Sequence, residues 1–131
     1  MTLAAHMLSD DALRVTAHGF ELDIGLNWYR SLPLSSVATL ELSVNGETIP
    51  RDEITFVVNG TEYALDDLPD HPDELWFVLD PAKLRVSRPL VRPGETAEIG
   101  LLLGSRIPYL LVGPERAFEN VTERTATLSA R

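Results

Sequence analysis

The sequence contains no cysteine, which removes disulfide frameworks, thiolate zinc sites, iron–sulfur ligation and cysteine nucleophiles at once. Basic residues are scarce. Eleven Lys and Arg stand against 20 Asp and Glu, a formal net charge of −9, and such a field repels phosphate backbones and anionic lipid surfaces. Neither a nucleic-acid partner nor a membrane partner is expected. Long apolar runs are missing as well: stretches such as Leu101-Leu102-Leu103 and Leu110-Leu111-Val112 fall far short of the roughly 18 residues of a membrane span. The opening residues, Met1-Thr2-Leu3-Ala4-Ala5-His6, have neither the basic start nor the apolar core of a signal peptide, so a cytoplasmic location is expected.

What is present suits a folded chain. With 131 residues, 44% hydrophobic and 24% charged, residues 1–131 are expected to form one domain with its own core, preceded over 1–10 by a flexible segment. Nine prolines and eight glycines interrupt every window of helical period, which excludes long helices. Between them lie β-rich segments at 12–16, 19–28, 37–44, 54–58, 62–65, 75–79, 83–86, 97–103 and 126–129. Phe20, Leu22, Ile24 and Leu26 alternate with Glu21, Asp23, Gly25 and Asn27, the period of a strand with one buried face. Leu40, Leu42 and Val44 alternate in the same way with Glu41 and Ser43. Asn45-Gly46 and Asn59-Gly60 supply residues that tolerate positive φ, the requirement of a two-residue hairpin. No room remains for crossover helices, so the pairing is antiparallel. The expected fold is all-β, an antiparallel β-sandwich, with a β-barrel as the alternative. Residues 115–120 fit either one helical turn or a strand edge.

Chemistry-bearing clusters are few. Asp66, Asp67, Asp70, His71, Asp73 and Glu74 form the densest set, but their spacing matches no metal loop, and Pro69 and Pro72 restrict the backbone between them. A solvated connector is the expectation. His6, His18 and His71 show no i, i+4 pairing, and no phosphate loop, nucleophile elbow or HExxH run occurs. Such a chain reads as a binding, structural or subunit domain in preference to a self-sufficient enzyme. Two segments place large aromatic and cationic residues at strand ends: Trp28-Tyr29-Arg30-Ser31-Leu32-Pro33-Leu34-Ser35 and Ser105-Arg106-Ile107-Pro108-Tyr109. Arg, Trp and Tyr concentrate at protein–protein contact centres, because each joins a large contact area to a directional polar group. Alternatively, Trp28 and Tyr29 close one end of the core while Arg30 and Arg106 pair with surplus carboxylates.

The order of several segments adds a resemblance. Gly19-Phe20, the Trp28 to Ser35 run, Val44-Asn45-Gly46-Glu47, residues 56–60, Trp76 ahead of Asp80-Pro81-Ala82, and Arg106-Ile107-Pro108-Tyr109 together resemble the small β subunit of bacterial C-glycoside deglycosidases, over about 19–109. The resemblance implies a non-catalytic subunit in a hetero-oligomer with a larger TIM-barrel α subunit. It implies that the α subunit binds a divalent metal, manganese by expectation, while this chain holds no cofactor and no catalytic residue. The implied reaction is lyase-like: cleavage of the C–C bond between a 3-oxo sugar and an aromatic aglycone such as a flavonoid. Trp28, Tyr29, Arg30, Pro33, Leu34, Arg106 and Tyr109 are the candidate partner contacts. The competing expectation is a stand-alone carbohydrate-binding β-sandwich with Trp28, Tyr29 or Trp76 stacking on sugar rings. A third is a metal enzyme built on the acidic loop and His71.

Overall fold

A computed structural model describes residues 7–9, 11–26, 30–78, 80–113 and 116–131, with backbone placement alone at 108–113 and 116–117. The strands are β1 (Leu13–Val15), β2 (Phe20–Ile24), β3 (Leu32–Pro33), β4 (Val37–Val44), β5 (Glu47–Thr48), β6 (Ile54–Val58), β7 (Thr61–Ala64), β8 (Leu75–Trp76), β9 (Ala82–Val86), β10 (Thr96–Gly113) and β11 (Arg116–Ser129). Three short 3-10 turns, η1 (Leu34–Ser36), η2 (Arg51–Glu53) and η3 (Leu65–Asp70), lie between them. One sheet runs β1-β2-β9-β6-β7, a second β11-β10-β4-β5, and β3 with β8 forms a separate ribbon. Every pairing is antiparallel. Among the described residues no sheet closes on itself, so the architecture is the sandwich, and the barrel alternative falls. No helix among them is long and apolar enough to cross a membrane.

The period-2 pattern builds the core. Phe20, Leu22 and Ile24 of β2, Phe56 of β6 and Leu84 of β9 are buried, as are Leu40 and Leu42 of β4 with Ile99, Leu101 and Leu103 of β10. These inward sets supply the apolar burial that drives the sheets together. Both Asn-Gly steps form the expected hairpin turns, with φ of 51° and 84° at Asn45 and Gly46, and 53° and 76° at Asn59 and Gly60. Positive φ at both central residues gives the turn whose twist matches that of the flanking strands. Gly19 serves a different need: a Cβ there would stand 1.9 Å from the Val86 carbonyl oxygen, so only glycine lets the chain pass β9 on its way into β2.

Four expectations change. Of the segment expected to be flexible, residues 1–6 and 10 lie outside the described residues. Met7 and Leu8, however, are buried in the core, and the Gly25 N–H donates to the Met7 carbonyl at 2.9 Å. The acidic connector is more than a solvated loop: its η3 turn buries Leu65 and Leu68, and Arg51 joins it to β4 by bonding Asp66 at 3.2 Å and the Leu40 carbonyl at 3.2 Å. The strand expected at 75–79 ends at Trp76, because the chain turns there, the Asp80 N–H donating to the Phe77 carbonyl at 3.0 Å.

The fourth change is the largest. β10 and β11 are far longer than the segments 97–103 and 126–129, and the 115–120 ambiguity resolves to strand from Arg116 onward. Their register runs unbroken from Thr96↔Ser129 to Ile107↔Phe118, then shifts before Leu111↔Ala117. Pro108 falls within that shift, where a residue without an N–H breaks no ladder bond. The last residue of β10 paired to β4 is Ser105, opposite Val37. Beyond it the two strands continue as a hairpin arm.

Candidate functional site

Of the residues singled out for partner contact, Pro33, Leu34 and Arg106 lie on segments that meet at one end of the sandwich. β3 leads through η1 directly into β4, whose first residue, Val37, pairs with Ser105 of β10. The ribbon that carries Pro33 and the start of the β10–β11 arm therefore leave the sheets at the same end. Arg30 and Arg106 are exposed, and Pro33 is half-buried. Arg106 stands opposite Glu119 in the register. Tyr109 lies in β10 past the register shift. Trp28 and Tyr29 lie outside the described residues. Leu34 is a correction: it is fully buried in the core, so its side chain supports the ribbon from beneath and offers no contact surface.

The ribbon is held by directional bonds from several elements. Leu32 pairs with Trp76 and Pro33 with Leu75. The Leu34 N–H donates to the Glu74 carbonyl at 2.8 Å, the Val78 N–H to Ser31 Oγ at 2.9 Å, and Asn59 Nδ2 to the Leu75 carbonyl at 2.8 Å. Trp76 anchors the assembly. It is fully buried, its indole N–H reaches the Asp80 carbonyl at 3.0 Å, and its ring meets Phe56 edge-on with centroids 5.5 Å apart. A buried indole cannot stack on a sugar, so Trp76 leaves the set of candidate carbohydrate platforms.

Two functional candidates went unnoticed in the sequence. Leu75 and Phe77 flank Trp76 and are 38% and 45% exposed. Alternation along a strand carries the signal: with Trp76 inward, its neighbours on either side must face out. Read as one more half-buried strand, 75–79 hid the fact that the apolar residues here point both ways.

Electrostatics concentrate elsewhere. On the outer face of the five-stranded sheet, Arg14 clamps Asp23 at 2.8 and 2.9 Å. Arg85 bonds Glu21 at 3.1 Å and reaches across β6 to Glu62. The hydrogen bond from Arg14 to Asp23 raises the guanidinium pKa further, and those from Arg85 to Glu62 and then Glu21 do the same for Arg85. Among the described residues no group of three or more His, Asp or Glu converges on a metal-sized space. His71 instead packs its ring against Tyr63, centroids 4.7 Å apart.

Comparison with known proteins places this geometry. The model of the C-glycoside deglycosidase beta subunit family matches residues 4–109, which take in the five-stranded sheet, the β3–β8 ribbon, β4, β5 and most of β10, and stop short of β11. A C-glycoside deglycosidase beta subunit from Arthrobacter globiformis is 34% identical, the alignment covering 97% of this chain and 100% of the relative. One from Microbacterium trichothecenolyticum is 30% identical over 95% of this chain and 94% of its own length. A 3'-dehydrocarminate deglycosidase beta subunit from a Microbacterium species is 36% identical over 81% of this chain and 80% of its own. The Trp28 to Ser35 run and the Arg106 to Tyr109 run that carry the resemblance both fall inside the matched region, and the chain belongs to the C-glycoside deglycosidase β-subunit family.

Proposed function

We propose that this chain is the non-catalytic β subunit of a heteromeric C-glycoside deglycosidase, working in the cytoplasm as one folded domain with a TIM-barrel α subunit that houses the chemistry. The observation that carries the reading is the family match over 4–109 together with full-length relatives named as beta subunits. The name of the Microbacterium relative, a 3'-dehydrocarminate deglycosidase subunit, supports a sugar already oxidised at C3. On such a sugar the keto group acidifies the neighbouring C2 proton, so a base in the α subunit can remove it. The electron pair left at C2 then forms a C1=C2 double bond and expels the aglycone, whose ring carbon departs with the C–C bonding pair and takes up a proton, giving an unsaturated 3-keto sugar and a polyphenol such as a flavonoid. A divalent cation, manganese in this reading, is held by the α subunit and supplies Lewis-acid character there. The β chain braces the loops of the α barrel through Trp28, Tyr29, Arg30, Pro33, Arg106 and Tyr109.

The test is to purify this chain with its α-type partner and assay a 3-keto C-glycoside with each chain alone and with both. Activity that needs both chains is expected. Full activity from the α protein alone, or no complex between the two, overturns the reading. Within the complex, Tyr29→Ala and Arg30→Ala should each weaken association while leaving the circular dichroism spectrum of the β chain unchanged. Wild-type affinity in both variants would place the contact elsewhere.

A further inference from the structure

Three large apolar side chains among the described residues are exposed, Leu75, Phe77 and Val121, and two of them sit on one short stretch of chain. Singly exposed apolar residues are ordinary, but a held pair is a different matter. Leu75 and Phe77 are displayed by a backbone fixed at four points: the Asn59 amide on the Leu75 carbonyl at 2.8 Å, the Asp80 N–H on the Phe77 carbonyl at 3.0 Å, the Ser31 hydroxyl on the Val78 N–H at 2.9 Å, and Trp76 locked beneath. Presenting apolar anchors on a rigid backbone removes the ordering cost of association, which is how a small patch becomes a strong contact. The rim has one dominant sign. Asp73, Glu74 and Asp80 lie within three residues of the pair in sequence and are exposed, on a chain of net charge −9.

Resting on the subunit reading above, we infer that Leu75 and Phe77 are the central anchors of the α-subunit contact, seated in an apolar socket of the α chain edged by Lys and Arg. This joins the interface to the same ribbon that carries Pro33, directly opposite Leu75, and extends it past the two segments that the family resemblance marks. Apolar anchors ringed by a polar rim are the usual anatomy of an energetic centre. The acidic rim adds steering, so complex formation should slow as ionic strength rises.

The experiment measures affinity of the full β chain for the α subunit by biolayer interferometry, for wild type, Leu75→Asp, Phe77→Asp and Val121→Asp, each first checked for a wild-type melting curve. Leu75→Asp and Phe77→Asp should bind about tenfold or more weakly. Val121→Asp, a matched change on the outer face of β11, should bind as wild type. Wild-type affinity in both ribbon variants, or an equal loss in Val121→Asp, overturns the inference while leaving the subunit reading intact. Sedimentation of the wild-type β chain alone supplies the other arm: a dimer that Phe77→Asp dissolves while α binding persists would assign the pair to a second copy and overturn the inference too. Failure of wild-type β to bind or activate α at all is the separate result that defeats the subunit reading itself.

Discussion

Trp76 shows how one residue can reverse a functional reading. As a large aromatic near a polar loop it fits a sugar platform, and nothing in its immediate sequence says otherwise. The structure gives it the opposite task, fully buried with its indole N–H satisfied, so truncation to alanine would open a cavity of the kind that costs about 3–5 kcal/mol. Side-chain direction decided the matter, and direction depends on a partner strand that is distant in sequence. Among the described carboxylates, Asp11 is the one whose acidity the fold shifts resolvably. Its hydrogen bond from Ser9 at 2.8 Å, followed by its own backbone N–H and the charge of Arg131, holds its pKa below the ordinary aspartate value. A group whose pKa is lower in the folded state stabilises the fold above the unfolded-state value and loses that contribution as pH falls through the folded one. Ser9→Ala should therefore move the Asp11 titration upward toward the ordinary value, read by NMR on the side-chain carboxyl, and remove a contribution to stability that is present at neutral pH and absent in acid.

Elements were legible where both neighbours of a strand were regular. Residues 37–44 and 54–58 carry strict alternation, and β4 and β6 occupy those same spans. The β10–β11 hairpin was not legible, because Gly104 and Pro108 break the apolar period. Gly104 is there for packing: a Cβ would crowd Thr39 and Glu119, whose side chains lean across it and meet at 3.3 Å. A glycine that makes room for its neighbours looks in sequence like a strand terminator. Between strands, the charge ladder on the five-stranded sheet links β1 to β2 and β2 to β9, then reaches β7. Replacing Arg14 by methionine keeps its aliphatic bulk and removes the clamp on Asp23. Thermal or urea melts should show a loss of about 0.5–1 kcal/mol, shrinking in high salt. Because the ladder raises the pKa of Arg14, its contribution persists at all lower pH on the arginine side and fails only above the ordinary guanidinium range.

At the scale of the whole molecule, composition and turn chemistry pointed to the fold class, and the order of a few segments pointed to the β-subunit family to which the chain belongs. Of the proposed contact end, only part was legible. The Trp28 to Ser35 and Ser105 to Tyr109 runs were visible because Arg, Trp and Tyr mark interfaces by type. Leu75 and Phe77 were invisible because leucine and phenylalanine ordinarily signal core, and only three-dimensional register shows them facing outward. Of the two hairpin turns, the one at Asn59 touches that end through Leu75, while the one at Asn45 follows the far end of β4. Asparagine followed by glycine is the step at which a chain ages fastest, since the glycine backbone nitrogen attacks the unhindered asparagine side-chain carbonyl and expels ammonia, and water then opens the resulting ring to aspartate or isoaspartate. In the turn at Asn45 the side-chain oxygen accepts from the Glu98 N–H at 2.9 Å, a bond that an aspartate would keep. In the turn at Asn59 the side-chain NH2 donates to the Leu75 carbonyl, and an aspartate there would turn a donor into a second acceptor facing that oxygen. Two turns of one shape thus grow old differently: where the product is aspartate, the first keeps its bond, while the second loses one of the four that hold Leu75 and Phe77 in place.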